Sequence, residues 1–179
     1  MSHPFYTIGH ATHTADAFVA LLAQSAIAVV ADVRAFPHSR HNRQFERDQL
    51  APRLATSHIG YVHLGTLGGR RRKARDIAPQ VNAFWNNQGF HNYADFALGV
   101  EFRSGLVQLR ALGGGRRCAI MCAEAVWWRC HRRIIADYLI AAGETVFHIL
   151  GAGRVVAARL TPAARPLAEG KLVYPQERP

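Results

Sequence analysis

Apolar and polar positions along the chain fall into short blocks whose period separates strands from helices. Phe5-Tyr6-Thr7-Ile8 is an apolar run that stops at Gly9-His10, and it predicts a strand. Thr14 is placed to cap a helix running to about Ser25, with Phe18, Leu21, Leu22 and Ala26 along one face. Ile27 to Val33 is almost continuously apolar, as in a strand covered on both faces, and it leads into Asp32-Val33-Arg34. The chain therefore opens with a strand–helix–strand unit, whose crossover is expected to be right-handed.

A polar, basic loop follows from Ala35 to Arg43, then a helix over about Glu46–Ser57. Pro52 sits badly inside it, because proline removes a hydrogen bond and crowds the preceding turn. A kink, or a start near Ala51, is the expected remedy. Ile59 to Leu64 predicts the third strand. Gly65 to Asn92 has no clear period, and Phe84, Trp85 and Phe90 are its expected anchors. Glu101–Leu112 has a helical apolar face, and three glycines from Gly113 end it. Ala119-Ile120-Met121-Cys122 is the next strand, followed by a turn and a helix that stops near Gly143. Cys130, His131 and Arg132 fall at or near the start of that helix. Thr145–Leu150 predicts the last core strand, Arg154–Leu160 an edge strand, and the proline-bearing remainder a surface-hugging tail. This alternation predicts one Rossmann-like, three-layer α/β domain over residues 1–179, with a mostly parallel sheet of about five strands. Its core spans about residues 5–150.

Composition narrows the field. The sequence has 179 residues, with 22 Lys and Arg against 12 Asp and Glu, a formal charge of +10. Nearly all of that excess is arginine, whose planar fork grips phosphate and carboxylate. Anionic partners, nucleotides or nucleic acid among them, are thus favoured. The three cysteines, Cys118, Cys122 and Cys130, are clustered, and no secretory apolar segment accompanies them, which points to a reducing cytoplasmic setting rather than a disulfide framework. The longest apolar stretch, Ala17 to Val33, is interrupted by Gln24, Ser25 and Asp32, so no membrane span is expected.

Placed on this scheme, the polar residues collect at strand ends. His10 follows the first strand, Asp32 and Arg34 the second, Gly65 to Arg70 the third, and Cys122 and Glu124 the fourth. In a parallel sheet these ends share one edge, where a crevice binds ligands. The same stretches carry a resemblance. Thr7-Ile8-Gly9-His10, Asp32-Val33-Arg34, Pro37-His38-Ser39-Arg40, Leu64-Gly65-Thr66-Leu67-Gly68-Gly69, Met121-Cys122-Ala123-Glu124 and Cys130-His131-Arg132 occur in the order found in the domain of unknown function 488 family. The chain resembles that family over roughly Phe5 to Leu150. The resemblance implies an α/β fold and a shared polar site at His10, Asp32, Arg34, Ser39, Arg40, Gly68, Gly69, Cys122, Glu124, Cys130, His131 and Arg132. It implies no established reaction.

The chemistry of these residues admits several roles. Cys122 is the candidate nucleophile, since a thiol near arginines and a helix start has its pKa lowered. Glu124 or His131 would serve as general acid or base, with His10 and Asp32 as further catalytic candidates. Arg34, Arg40, Arg132 and His131 suit an anion clamp, aided by Ser39, Gly68, Gly69 and Cys130. A phosphatase-type loop requires arginine six positions after its cysteine, and Trp128 stands there. Cys130 and His131 make a poor metal pair, because neighbouring helical side chains diverge by about 100°. Cys122 and Cys130 make a redox pair only if the turn folds back, and they lack the spacing of thioredoxin-like sites. A hard-metal site from Asp32, Glu124 and His10 is a minor alternative. Trp127 and Trp128 either pack or stack on a base. Cys118 has the same strand parity as Cys122 and is expected to pack. These residues specify neither a cofactor nor an oligomeric state. Two functions compete: a thiol-dependent hydrolase or transferase acting on a phosphate-bearing substrate, and a noncatalytic nucleic-acid-binding module built on the basic Gly/Arg-rich loop. Convergence of thiol, carboxylate and imidazole on one crevice would separate them.

Overall fold

A computed structural model describes residues 3–176. Six strands form the main sheet: β1 (Phe5–Gly9), β2 (Val29–Asp32), β3 (Gly60–His63), β4 (Cys118–Cys122), β5 (Val146–Gly151) and β6 (Arg154–Ala157). Their spatial order is β3-β2-β4-β1-β5-β6, parallel throughout except for the antiparallel edge strand β6. The helices are α1 (Ala15–Gln24), α2 (Arg47–Ala55), α3 (Gln88–Ala97), α4 (Val100–Gly113) and α5 (Arg132–Ala141). The expected three-layer, mostly parallel α/β architecture is thus present, with six strands in its main sheet.

The period-2 pattern of the strands divides the core. Val29, Ala31, Cys118, Ile120 and Cys122 face the layer that contains α3, α4 and α5. Val30, Ala119, Met121, Tyr6 and Ile8 face the layer that contains α1 and α2. Because successive strand side chains alternate sides, one apolar run supplies both layers. Thr14 caps α1 by accepting from the backbone N–H of Ala17 at 3.1 Å, as the sequence predicts. α2 begins at Arg47 rather than near Ala51 and carries Pro52 inside. Leu50 and Leu54, both fully buried, hold it against the sheet.

Two regions depart from the sequence pattern. Residues 65–92, expected to be irregular, end in the first turns of α3. Asn87 caps that helix through Gly89 and Phe90 N–H groups at 2.9 and 3.2 Å. The tail is more than a surface wrap. Ala163, Ala164, Leu172 and Tyr174 are buried, and a two-stranded ribbon, β7 (Arg165–Pro166) and β8 (Leu172–Val173), folds the segment against α5. The Tyr174 hydroxyl donates to Asp137 of α5 at 3.0 Å, which fixes the tail where apolar packing alone would let it slide. Residues 177–179 of the expected tail lie outside the described residues.

Candidate active site

β2 and β4 are neighbours, but their onward connections leave by opposite faces of the sheet. From β2 the chain passes through α2 to β3 at the edge, and from β4 it passes through α5 to β5 on the other side. A crevice must open between their carboxyl ends. It is a cavity of about 850 Å³. The loop after β2 contributes Arg34, His38, Arg40 and His41, and the loop after β3 contributes Gly69 and Arg70. Tyr93 of α3 lines it as well. Cys122 and Glu124 enter from the end of β4, and Arg129, Cys130 and His131 from the turn before α5.

At the back of this cleft the chain folds onto itself. A single turn of 3-10 helix, Trp127–Arg129, reverses the direction and returns Cys130 to Cys122. The two sulfurs lie 2.7 Å apart, and both thiols are free. Cys130 Sγ also receives the backbone N–H of Arg132 at 3.4 Å and its Nε–H at 3.2 Å. The Nδ1 atom of His131 stands 3.6 Å from the same sulfur. The other ring nitrogen, Nε2, faces the carbonyl of Val33 at 2.9 Å. A carbonyl only accepts, so Nε2 carries a proton and Nδ1 is the nitrogen that exchanges one with sulfur.

This arrangement divides the pair. Burial, the Cys130 neighbour and its developing charge push the Cys122 thiol well up. Burial opposes ionisation of Cys130 too, but the Cys122 S–H bond, His131 and Arg132 outweigh it and pull that thiol well below its usual range. The thiolate therefore belongs on Cys130, with Cys122 retaining its proton and donating to it. Cys118, one strand face along, is pushed up to about 12 by burial and packs in the core.

Two arginines of the expected clamp, Arg34 and Arg132, turn inward. Arg132 is 1% exposed, and its NH2 donates to the Glu124 carbonyl at 2.6 Å, so its charge serves the sulfurs. Arg34 is held by Asp32 through Nε at 2.9 Å and NH2 at 2.6 Å, and it also donates to the Phe45 carbonyl at 2.8 Å. Asp32 has no exposed surface and takes a further bond from the Tyr61 hydroxyl at 2.5 Å. His10 stacks on Phe45 and accepts from Arg34 NH1 at 3.4 Å while its Nδ1–H donates to the Ala11 carbonyl. Burial lowers its pKa to about 4, so it is neutral. Asp32 and His10 thus stand behind the cleft wall as a buttress for Arg34. Among the described residues no group of three His, Cys, Asp or Glu side chains is placed to hold a metal, so Asp32, Glu124 and His10 do not assemble one.

The remaining candidates divide in the same way. Ser39 accepts from the backbone N–H of Asn42 at 3.0 Å and shapes its own loop. Gly68 packs on the backbone of Ala35. Gly69 meets the imidazole of His131, where an added Cβ would lie 2.5 Å from Nδ1. Arg40 and Glu124 are exposed at the rim. Trp127 stacks on His148 with centroids 4.2 Å apart, which is packing, and Trp128 is exposed outside the cleft.

Sequence patterns gave no role to Tyr61 and Phe45, which support Asp32 and Arg34, or to Arg129 and His41, which stand at the rim with Arg70 of the Gly/Arg-rich loop and His38. Arg71 has another role: its guanidinium donates to the carbonyls of Thr66 and Gly68 at 2.9 Å each and lies 3.6 Å over the Phe96 ring. It braces the glycine-rich loop against α3.

Fold and site together define an open-sheet α/β protein with a paired-thiol centre at its topological switch point. Residues 14–139 match the family described as Domain of unknown function DUF488, and the chain belongs to that family. No curated protein and no solved structure matches the chain. Among the described residues no helix is long and apolar enough to cross a membrane.

Proposed function

We propose that this protein is an enzyme that presents a cysteine thiolate to an anionic, phosphate-bearing substrate, a nucleotide or a segment of nucleic acid. Cys130 is the nucleophile in this scheme, and Cys122 holds its charge through the S–H bond. His131 takes or returns a proton at Nδ1, and Glu124 at the rim relays protons to solvent. Arg40, Arg70 and Arg129 bind the anion, because the inward-facing Arg34 and Arg132 are already engaged. The observation that carries the proposal is the convergence on Cys130 Sγ of a thiol, an imidazole nitrogen and a buried guanidinium, at the back of a basic cleft. Such surroundings favour the thiolate, and the thiolate is the reactive form of cysteine.

The competing reading, a noncatalytic nucleic-acid-binding module, draws on the exposed residues Arg70, Arg72, Lys73 and Arg75 beside the cleft. One experiment separates the two. Iodoacetamide labelling of Cys130 and Cys122 is followed by peptide mass across pH, with and without a nucleotide or oligonucleotide. The expected result is labelling of Cys130 well below the ordinary thiol range near about 8.5, with protection by the anionic ligand. A Cys130 profile at the ordinary value, with ligand binding unaffected by Cys130→Ser, would leave only the binding module.

A further inference from the structure

We infer that Cys122 and Cys130 are a reversible dithiol/disulfide couple, in which Cys130 reduces a small hydroperoxide and Cys122 resolves the product. This rests on Cys130 being the reactive sulfur of the proposed site, and it assigns that sulfur a second class of substrate.

Three features of the geometry carry it. First, the chain between the two residues has already closed. The turn at Trp127–Arg129 and the end of β4 hold the sulfurs 2.7 Å apart, against about 2.05 Å in a formed bond, so oxidation requires no rearrangement of the backbone. Second, the two sulfurs have different environments. Cys130 has the imidazole and guanidinium, whereas Cys122 sits at the end of a core strand and keeps its proton, the division of labour between an attacking and a resolving thiol. Third, both residues are only 3% exposed. A protein disulfide cannot approach such sulfurs in line, while a molecule the size of hydrogen peroxide can enter from the cleft that both of them line.

The chemistry balances within the site. Cys130 thiolate attacks the terminal oxygen of the hydroperoxide. An S–O bond forms, the O–O bond breaks, and two electrons pass from sulfur to oxygen. The departing hydroxide or alkoxide takes the proton from Nδ1 of His131 and leaves as water or alcohol. Cys122 sulfur then attacks the sulfenic acid at Cys130. The S–S bond forms, the S–O bond breaks, and the Cys122 proton leaves with the hydroxyl as water. The thiols are oxidised by two electrons and the hydroperoxide is reduced by two. A low-molecular-weight thiol returns the couple to the dithiol state by two exchanges. Arg132 stabilises the reduced, anionic state, because it loses its sulfur charge partner on oxidation, so the disulfide is easily reduced.

The test uses the full chain and hydrogen peroxide. Treated protein is denatured in acid, its free thiols are counted, and its peptides are weighed. Free thiols are expected to fall from three to one, with Cys118 remaining, and to return to three with glutathione. Cys130 labelling is lost and recovered in step. In Cys122→Ser, Cys130 should be trapped as a sulfenic acid by dimedone and then advance to the sulfinic acid. Should that variant not fold, the thiol count of the unaltered protein still decides. Retention of three thiols, or a sulfinic acid at Cys130 without any Cys122–Cys130 disulfide, overturns the couple. Fast labelling of Cys130 at neutral pH with no disulfide would defeat this inference and leave the proposed function standing. Slow labelling with no disulfide would defeat both.

Discussion

Gly69→Ala tests whether His131 is the group that sustains the Cys130 thiolate. A Cβ at this position would lie 2.5 Å from His131 Nδ1 and 2.9 Å from its Cγ. Nonbonded heavy atoms rest about 3.5 Å apart or more, so the imidazole must yield by about 1 Å. It is not free to do so. Its Nε2–H is tied to the Val33 carbonyl at 2.9 Å, and the Tyr93 ring leans on it with centroids 5.0 Å apart. Overpacking of this kind costs about 1–3 kcal/mol, including the strained or lost hydrogen bond. The displaced Nδ1 no longer reaches Cys130 Sγ, which stands 3.6 Å away in the unaltered protein. A hydrogen bond to a charged group contributes about 1.5–3 kcal/mol, so the ionisation constant of the Cys130 thiol should fall about tenfold or more, which moves its labelling curve to higher pH. Two measurements on one variant check this: a denaturant titration for stability and the iodoacetamide rate at Cys130 across pH. Loss of stability with an unchanged labelling curve would refute the role given to His131. If neither quantity moves, the close approach of Gly69 to the ring is itself refuted.

Asp32→Asn should cost about 3–5 kcal/mol in denaturant titration, because it leaves the nearly buried guanidinium of Arg34 without its counter-charge. An unaltered midpoint would show that Arg34 finds another anion. Acid should weaken the fold through His10 and His148, whose pKa values burial lowers from 6.5 to about 4. Both are neutral in the folded chain, so below 6.5 the unfolded chain binds protons that the folded chain refuses, and stability falls until the pH reaches about 4. The loss should approach about 3 kcal/mol for each histidine, and His148→Gln should remove its share from the pH slope of the denaturation free energy. Tyr174→Phe removes the hydroxyl that donates to Asp137 and should lower stability by about 1.5–3 kcal/mol. An effect near zero in the same titration would mean that the tail is held by apolar packing alone.

Much of the scaffold was legible because strands covered on both faces must be apolar over their length. Val29 to Asp32 and Cys118 to Cys122 could be placed from that rule, and their polar successors then had to share one edge. The helix at Gln88–Ala97 escaped, although Asn87 is a good cap and Phe90, Tyr93, Ala94 and Ala97 keep helical spacing. Gly89, His91 and Asn92 diluted that signal within a stretch whose glycines and arginines suggested a loop. The buried tail escaped for a different reason. Tyr174 and Leu172 are isolated apolar residues among prolines and charges, and only the surface left open beside α5 makes them core.

By itself the sequence determined the six strands of the main sheet, the sheet edge at which the polar residues gather, the family and the basic character of the chain. Tertiary structure decided what each polar group does there. Spacing alone cannot say that the Trp127–Arg129 turn folds Cys130 back onto Cys122, or that Arg34 and Arg132 spend their charge inside. Those outcomes depend on which atoms a side chain meets from other elements: the Tyr61 hydroxyl on Asp32, the Val33 carbonyl on His131, the Glu124 carbonyl on Arg132. Burial raises both thiols, and the Cys122 S–H bond, His131 and Arg132 then pull Cys130 alone below its usual range, a division that exists only because the turn returns Cys130 to Cys122.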